Sequence, residues 1–248
     1  MTRPTLLLLP GLMCDRAVWS EQIEALSPAF DCVVPHYGEL DSLAAMAAKV
    51  LSEAPPGPLA VAGHSMGGRV AFEMVMQAPQ RIERLALLDT SCHPLPPGEE
   101  GERERAGRHA LLAIARAQGM RAMARAWAKD MVHPSRRASP VFEAVLDMFE
   151  RGSPAALAAQ IEALLGRRDA TGLLAHLDLP TLLLCGREDG WSPPSRHEFM
   201  HQRIAGSRLV ILEQCGHMST MEQPAAVTAA LADWLAAPGE PRAPSVKD

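Results

Sequence analysis

Leu59-Ala60-Val61-Ala62-Gly63-His64-Ser65-Met66-Gly67-Gly68-Arg69 joins an apolar run to the start of a helix-like run that continues to Gln77. It reads as strand, sharp turn, helix, with a serine on the turn. A serine hydroxyl is a poor nucleophile at neutral pH. It needs exposure, an adjacent base and a place for the oxyanion. A tight strand-to-helix turn supplies the exposure, at the cost of a strained serine backbone that only small neighbours tolerate. Glycine stands two before and two after Ser65, as that geometry asks. The helix beginning after Ser65 directs free backbone N–H groups toward a reacting carbonyl. A bare G-x-S-x-G also describes an ordinary glycine-rich turn. Its placement between a strand and a helix favours the nucleophile.

The pattern extends outward on both sides. Thr5–Leu9, Cys32–Pro35, Leu59–Ala62 and Leu85–Leu88 are short apolar runs that read as strands. Helices are expected between them, over Asp15–Leu26, Ser42–Glu53 (with Asp41 as N-cap) and Met66–Gln77. Continuous rather than alternating apolar runs fit a parallel sheet covered on both faces. After Cys92 the strands stop. Prolines at 94, 96 and 97, a charged run over Glu99–Arg108, and Ser-Pro pairs at 139–140 and 153–154 mark an inserted helical segment of roughly four helices. Gly152 and Gly166 read as helix stops. Alternation resumes with strands at Thr181–Cys185 and Leu209–Leu212 and helices at Pro194–Ile204 and Pro224–Leu235. The expected organisation is a core of residues 1–91 and 177–237, a helical cap or lid over 92–176, and a flexible tail over 238–248. In such sheets ligand chemistry sits at the carboxyl ends of the strands, and an insertion from that edge would cover it.

Bulk properties narrow the function. With 248 residues, the chain is long enough for a single domain with a substantial core. A net charge of −5 argues against nucleic acid as a partner, because phosphate binding needs a basic face. Five cysteines without metal-type spacing argue against a full disulfide framework and make a reducing cytoplasm the expected compartment. The apolar run Leu6–Leu9 is too short for a signal sequence or a membrane span.

A serine nucleophile needs a base, and the base needs an orienting carboxylate. Of nine histidines, His217 in Cys215-Gly216-His217-Met218 is the best placed, in the loop past the last strand. His64 adjoins the serine, but its side chain must point elsewhere, so it reads as support for the turn. Asp189, in Gly186-Arg187-Glu188-Asp189-Gly190, follows the strand Thr181–Cys185 and is the expected acid. Asp89 is the rival, since it also ends a strand. The oxyanion needs two donors. Met66 N–H is one. The loop after the first strand, Pro10-Gly11-Leu12-Met13, should supply the other, from Leu12 or alternatively Met13.

The order Ser65, Asp189, His217 is that of the α/β-hydrolases. Together Leu6–Gly11, Gly63–Gly68, Gly186–Asp189 and Gly216–His217 resemble that superfamily, specifically its small, lidded esterase-like members. The resemblance covers nearly the whole chain outside the insertion. It implies an α/β-hydrolase fold, a mostly parallel sheet of about six strands with helices on both faces and a helical lid. It implies a Ser65–His217–Asp189 triad, an acyl-enzyme mechanism, no metal and no organic cofactor. Two features differ from the usual pattern. Pro10-Gly11 stands where many members have His-Gly, and no N-terminal antiparallel hairpin precedes the first strand. The expected activity is a serine hydrolase cleaving small carboxylic esters, of carboxylesterase or lactonase type. Other triad hydrolases (thioesterase, carbon–carbon bond hydrolase, peptidase-like, lyase) and a non-catalytic receptor are the alternatives. The expected partner is a small ester or lactone, with no nucleic acid and no membrane; monomer and homodimer both fit. Met13, Trp127 and Met218 are the expected substrate-binding residues, because methionine adapts to varied shapes. Most of the lid's apolar residues are expected to form the lid's own core instead. Six basic residues of the insertion (Arg103, Arg105, Arg108, Arg116, Arg121, Arg125) would greet an anionic substrate or, more simply, form a solvated face balanced by neighbouring glutamates.

Overall fold

The computed structural model describes residues 3–237. The tail expected over 238–248 lies outside the described residues. Six strands form one sheet: β1 (Thr5–Leu9), β2 (Asp31–Val33), β3 (Leu59–His64), β4 (Ile82–Leu88), β5 (Thr181–Gly186) and β6 (Arg208–Leu212). Their spatial order is β2-β1-β3-β4-β5-β6, and every neighbouring pair is parallel. The four inner strands are almost wholly buried, which is why they read as unbroken apolar runs. The edge strands β2 and β6 are partly exposed.

The helices are α1 (Ser20–Leu26), α2 (Leu43–Glu53), α3 (Met66–Gln77), α4 (Glu99–Gln118), α5 (Met120–Ala128), α6 (Pro140–Glu150), α7 (Pro154–Leu165), α8 (Pro194–His201), α9 (Ser219–Glu222) and α10 (Pro224–Ala236). Parallel crossovers are right-handed. The step from β1 to β2 runs one way across the sheet, and every later step runs the other. Hence α1 lies on one face, where α10 packs against it, and α2, α3 and α8 lie on the other, with α2 against α3. The direction reverses at β1, so a crevice opens at the carboxyl ends of β1 and β3. That is where an open α/β sheet binds its ligand.

Three local expectations need correction. Ser42, not Asp41, caps α2, its Oγ accepting the Ala45 N–H at 3.4 Å. The stretch expected as one helix from Asp15 begins as a 3-10 turn, Arg16–Trp19, because the Asp15 carboxylate accepts the Ala17 N–H at 2.8 Å and tightens that turn. The strand expected over Cys32–Pro35 ends at Val33, since Pro35 has no N–H to give the ladder.

Helices α4–α7 fall between β4 and β5 and carry their own apolar centre. Trp127 of α5 stacks on Phe149 of α6 with ring centroids 5.0 Å apart. Met120, Met123, Met131 and Met148 are buried with them. On the outside, Arg121 binds Glu143, Asp147 and Glu150 of α6, one after another along a single helix face.

Candidate active site

The turn after β3 puts Ser65 at φ 53°, ψ −115°, a region that non-glycine residues seldom enter. Neighbours fix it there. Ser65 N–H donates to Leu88 O at 2.8 Å, and Thr90 Oγ1 donates to Ser65 O at 2.7 Å. Glycine is needed at 63 and 67 because the backbones nearly touch. A Cβ on Gly63 would come within 2.5 Å of Gly67 backbone, and one on Gly67 within 2.2 Å of Leu9 O.

His217 and Asp189 reach this turn from the loops after β6 and β5. His217 Nε2 lies 2.8 Å from Ser65 Oγ, and His217 Nδ1 lies 2.9 Å from Asp189 Oδ2. Asp189 Oδ1 accepts two amides, Trp191 and Ser192, each at 2.8 Å. Burial alone would raise the Asp189 pKa. The His217 charge and hydrogen bond, with those two amides, outweigh it and hold the carboxyl below its ordinary value. Asp189 is 2% exposed and His217 4%, so bulk water does not compete for their bond.

Asp89 makes no hydrogen bond to His217. Its Oδ1 accepts the Gly186 N–H at 3.3 Å, and its Oδ2 meets Ser219 Oγ. It thus ties the end of β4 to the end of β5 and to α9. Burial, then the charge of Asp189, push its pKa well above the ordinary carboxylate value. His64 donates its Nε2–H to His217 O at 2.8 Å, and burial, then the His217 charge, hold its pKa down to about 3. The 3.6 Å approach of His64 to Asp89 is therefore not an ion pair, because the imidazole is uncharged at neutral pH.

Leu12 and Met66 line the same cleft as Ser65 and His217, a space of about 380 Å³. Met66 is the first residue of α3, so its N–H has no intrahelical acceptor. The two candidates in the loop after β1 differ. Met13 N–H donates to Gln160 Oε1 at 2.9 Å, whereas Leu12 N–H has no protein acceptor among the described residues.

The expected pocket residues divide. Trp127 lines the cleft, with Trp191 edge-on to it at 6.1 Å. Met13 does not. Its methyl lies against Gly152, where a Cβ would approach within 2.0 Å, and it faces a separate groove shared with His36 and Tyr37. Met218 is fully buried and reaches none of the cleft's surface, because its N–H and that of His217 both bind Met131 O and draw the loop inward. Of the six insertion arginines, only Arg103 and Arg108 reach the cleft.

Several residues at the site escaped the sequence reading. Glu222 accepts Gly216 N–H at 3.0 Å and Met218 N–H at 3.3 Å on one oxygen, and His133 N–H at 2.7 Å on the other. It clamps the histidine loop to the insertion. Its place five residues after His217 was a local signal of a kind. Gln160, 147 residues from Met13, offered none. Among the described residues no group of three or more His, Cys, Asp or Glu side chains is arranged to hold a metal ion. No helix there is long and apolar enough to cross a membrane.

Known proteins share this arrangement of elements. A pimeloyl-[acyl-carrier protein] methyl ester esterase of Nitrosomonas europaea is 29% identical over 244 residues, covering 89% of this chain and 91% of the relative. A thermophilic esterase of Thermogutta terrifontis, solved with malate bound, is 30% identical with a TM-score of 0.85, covering 94% of this chain and 90% of that one. The enol-lactonase of Burkholderia xenovorans LB400, 24% identical with a TM-score of 0.82 over 96% of this chain and 93% of its own, shares the fold. Residues 4–224 match the family profile described as alpha/beta hydrolase fold. The chain belongs to the alpha/beta hydrolase fold family, among its esterase-like serine hydrolases.

Proposed function

We propose that this enzyme hydrolyses small carboxylic esters, methyl esters among them, through an acyl-enzyme on Ser65. The observation that carries the reading is the bonded chain Ser65 Oγ–His217 Nε2 at 2.8 Å and His217 Nδ1–Asp189 Oδ2 at 2.9 Å, at the carboxyl edge of the sheet. The relative named as a methyl ester esterase supports the leaving group.

Ser65 Oγ attacks the ester carbonyl carbon while His217 Nε2 takes its proton. Asp189 accepts the Nδ1–H, fixes the tautomer and stabilises the imidazolium. The N–H groups of Leu12 and Met66 receive the oxyanion. With Met13 N–H already given to Gln160, Leu12 is the free donor of its loop. Each such donor is worth about 3 kcal/mol of transition-state stabilisation. His217 then protonates the departing alkoxide. A water, deprotonated by His217, attacks the acyl-enzyme and frees the acid. A lactone is a cyclic ester open to the same attack. Helices α4–α7 act as the lid over this edge. All five cysteines are unpaired, which suits a reducing cytoplasm.

The test is a burst of nitrophenol from a short-chain nitrophenyl ester, followed by methanol release from short methyl esters. Both should vanish in Ser65→Ala, by about 10⁶ in kcat. Turnover that survives in Ser65→Ala would overturn the reading.

A further inference from the structure

The cleft beside Ser65 carries an excess of positive charge. Five arginines line it, against two carboxylates, Glu100 and Glu104. Glu104 is already engaged. Its two oxygens accept Arg167 Nη1 and Nη2, each at 2.7 Å, and Arg108 Nε at 2.9 Å. Glu100 is exposed on the outer turn of α4.

Arg69 stands apart. It is the fourth residue of α3, about one turn along the helix that begins after Ser65, and it lines the same cleft as Ser65. Its Nη1 donates to His93 O at 2.7 Å, and it makes no ion pair among the described residues. Arg196 likewise lines the cleft without an ion pair. Arg167, only 7% exposed, lines it with an Nε–H that finds no acceptor. Burial, then the charges of Arg167 and Arg196, push the Arg69 pKa down to about 9.

Half-buried guanidiniums lacking a counter-charge are costly to keep. Composition of the insertion does not explain them. Arg121 is neutralised on the outer face by three carboxylates, Arg105 lies near Glu102, and neither reaches the cleft. Arg69 and Arg196 come from the sheet's own helices, α3 and α8. The missing negative charge is one a ligand would bring, and a carboxylate fits the planar fork of a guanidinium best.

We propose that Arg69, with Arg196 and Arg167, forms an anion subsite within the Ser65 cleft, and that the preferred esters carry a free carboxylate about one helical turn (~5 Å) from the scissile carbonyl. This rests on the ester-hydrolase reading above and narrows its substrates to short half-esters of dicarboxylic acids or esters of short hydroxy acids.

Matched pairs of esters test it at constant ionic strength. Monomethyl glutarate is compared with methyl pentanoate, and carboxymethyl butyrate with propyl butyrate. At least one charged ester should exceed its neutral partner tenfold or more in kcat/KM, mainly through KM. That ratio should fall toward one in Arg69→Gln and in Arg196→Gln, and be partly kept in Arg69→Lys. Arg105→Gln, outside the cleft, should leave the ratio where it was. Should Arg69→Gln fail to fold, Arg196→Gln and competitive inhibition of the unmodified enzyme by glutarate, stronger than by glutaramide, carry the same decision. Equal turnover of charged and neutral esters, or a preference that survives both glutamine variants, overturns the subsite while leaving the ester hydrolase intact. Turnover of neither kind of ester would instead remove the underlying reading.

Discussion

The sheet rim and the helical insertion meet at one cleft, but they contribute different things. The rim supplies the proposed reacting groups, Ser65, His217 and Asp189, on turns at the ends of three strands. The insertion supplies restraint. Gln160 holds Met13 N–H, Met131 O holds the amides of His217 and Met218, and His133 N–H binds Glu222. Arg151, just after α6, reaches back to Asp15 beside the same loop. The insertion is therefore more than a cover. It is bonded to the loops that carry Leu12 and His217. The three side chains come from positions 28 and 152 residues apart, and bonds from the insertion help to hold the loops that align them.

The largest expected effect lies on the rim. Asp189→Asn keeps the shape but lets His217 adopt the wrong tautomer, and kcat should drop by about 10⁴ with an unchanged circular dichroism spectrum. A loss under tenfold would mean that Asp89 or another acid serves in its place.

Gln160→Leu probes the insertion. It leaves Met13 N–H buried without an acceptor, at about 1–3 kcal/mol, and frees the loop to rotate. Steady-state kinetics should show kcat lower by about 10- to 100-fold, a part of the roughly 3 kcal/mol that an oxyanion donor contributes, with KM changed little. Gln160→Glu keeps the acceptor and should recover most of the rate. A variant that melts earlier yet turns over at the original kcat would reduce the insertion to a cover.

The smallest effect concerns pH and the cleft wall. Glu104 sits on the insertion with its pKa drawn down to about 2; burial opposes this, but Arg167 and Arg108 prevail. Its ordinary value is 4.5. In that window the unfolded chain binds the proton and the folded one resists it. The stabilisation is therefore complete above pH 4.5 and is lost as pH falls toward 2. Each unit is worth at most about 1.4 kcal/mol, less here because the side chain is partly exposed. Urea midpoints of the unmodified enzyme and Glu104→Gln should differ most at pH 6, draw closer through pH 3 and converge only near pH 2. A constant gap would mean that the carboxylate charge contributes nothing to holding the insertion.

The order of strands and helices was legible because it is written in local signals. Four leucines in a row at 6–9 make a strand buried on both faces, and Ser153-Pro154 starts a helix, its Oγ accepting Ala156 N–H at 3.1 Å. Ser65, His217 and Asp189 were chosen from turn chemistry and chain order, and the fold brings them within hydrogen-bonding distance. The pocket was less legible. Met13 and Met218 adjoin site residues in the chain, yet neither lines the cleft, because adjacency in sequence does not set the direction of a side chain on an irregular loop. Arg69 was hidden for the opposite reason. An arginine on a helix is usually solvated or ion-paired, and only the packed structure reveals that this one is half-buried in the cleft without a carboxylate partner.

The sequence by itself determined the parallel sheet, the bend that carries the Ser65 hydroxyl, and the chain order of Ser65, Asp189 and His217. Those follow from periodicity, from glycine and proline, and from side-chain chemistry, all of which act over a few residues. Tertiary structure alone decided which of two neighbouring amides is left free, which of two strand-end carboxylates meets His217, and where guanidiniums without a carboxylate partner gather. Those depend on partners up to 147 residues apart and on how much water remains between them, and neither quantity is encoded in any short stretch of the chain.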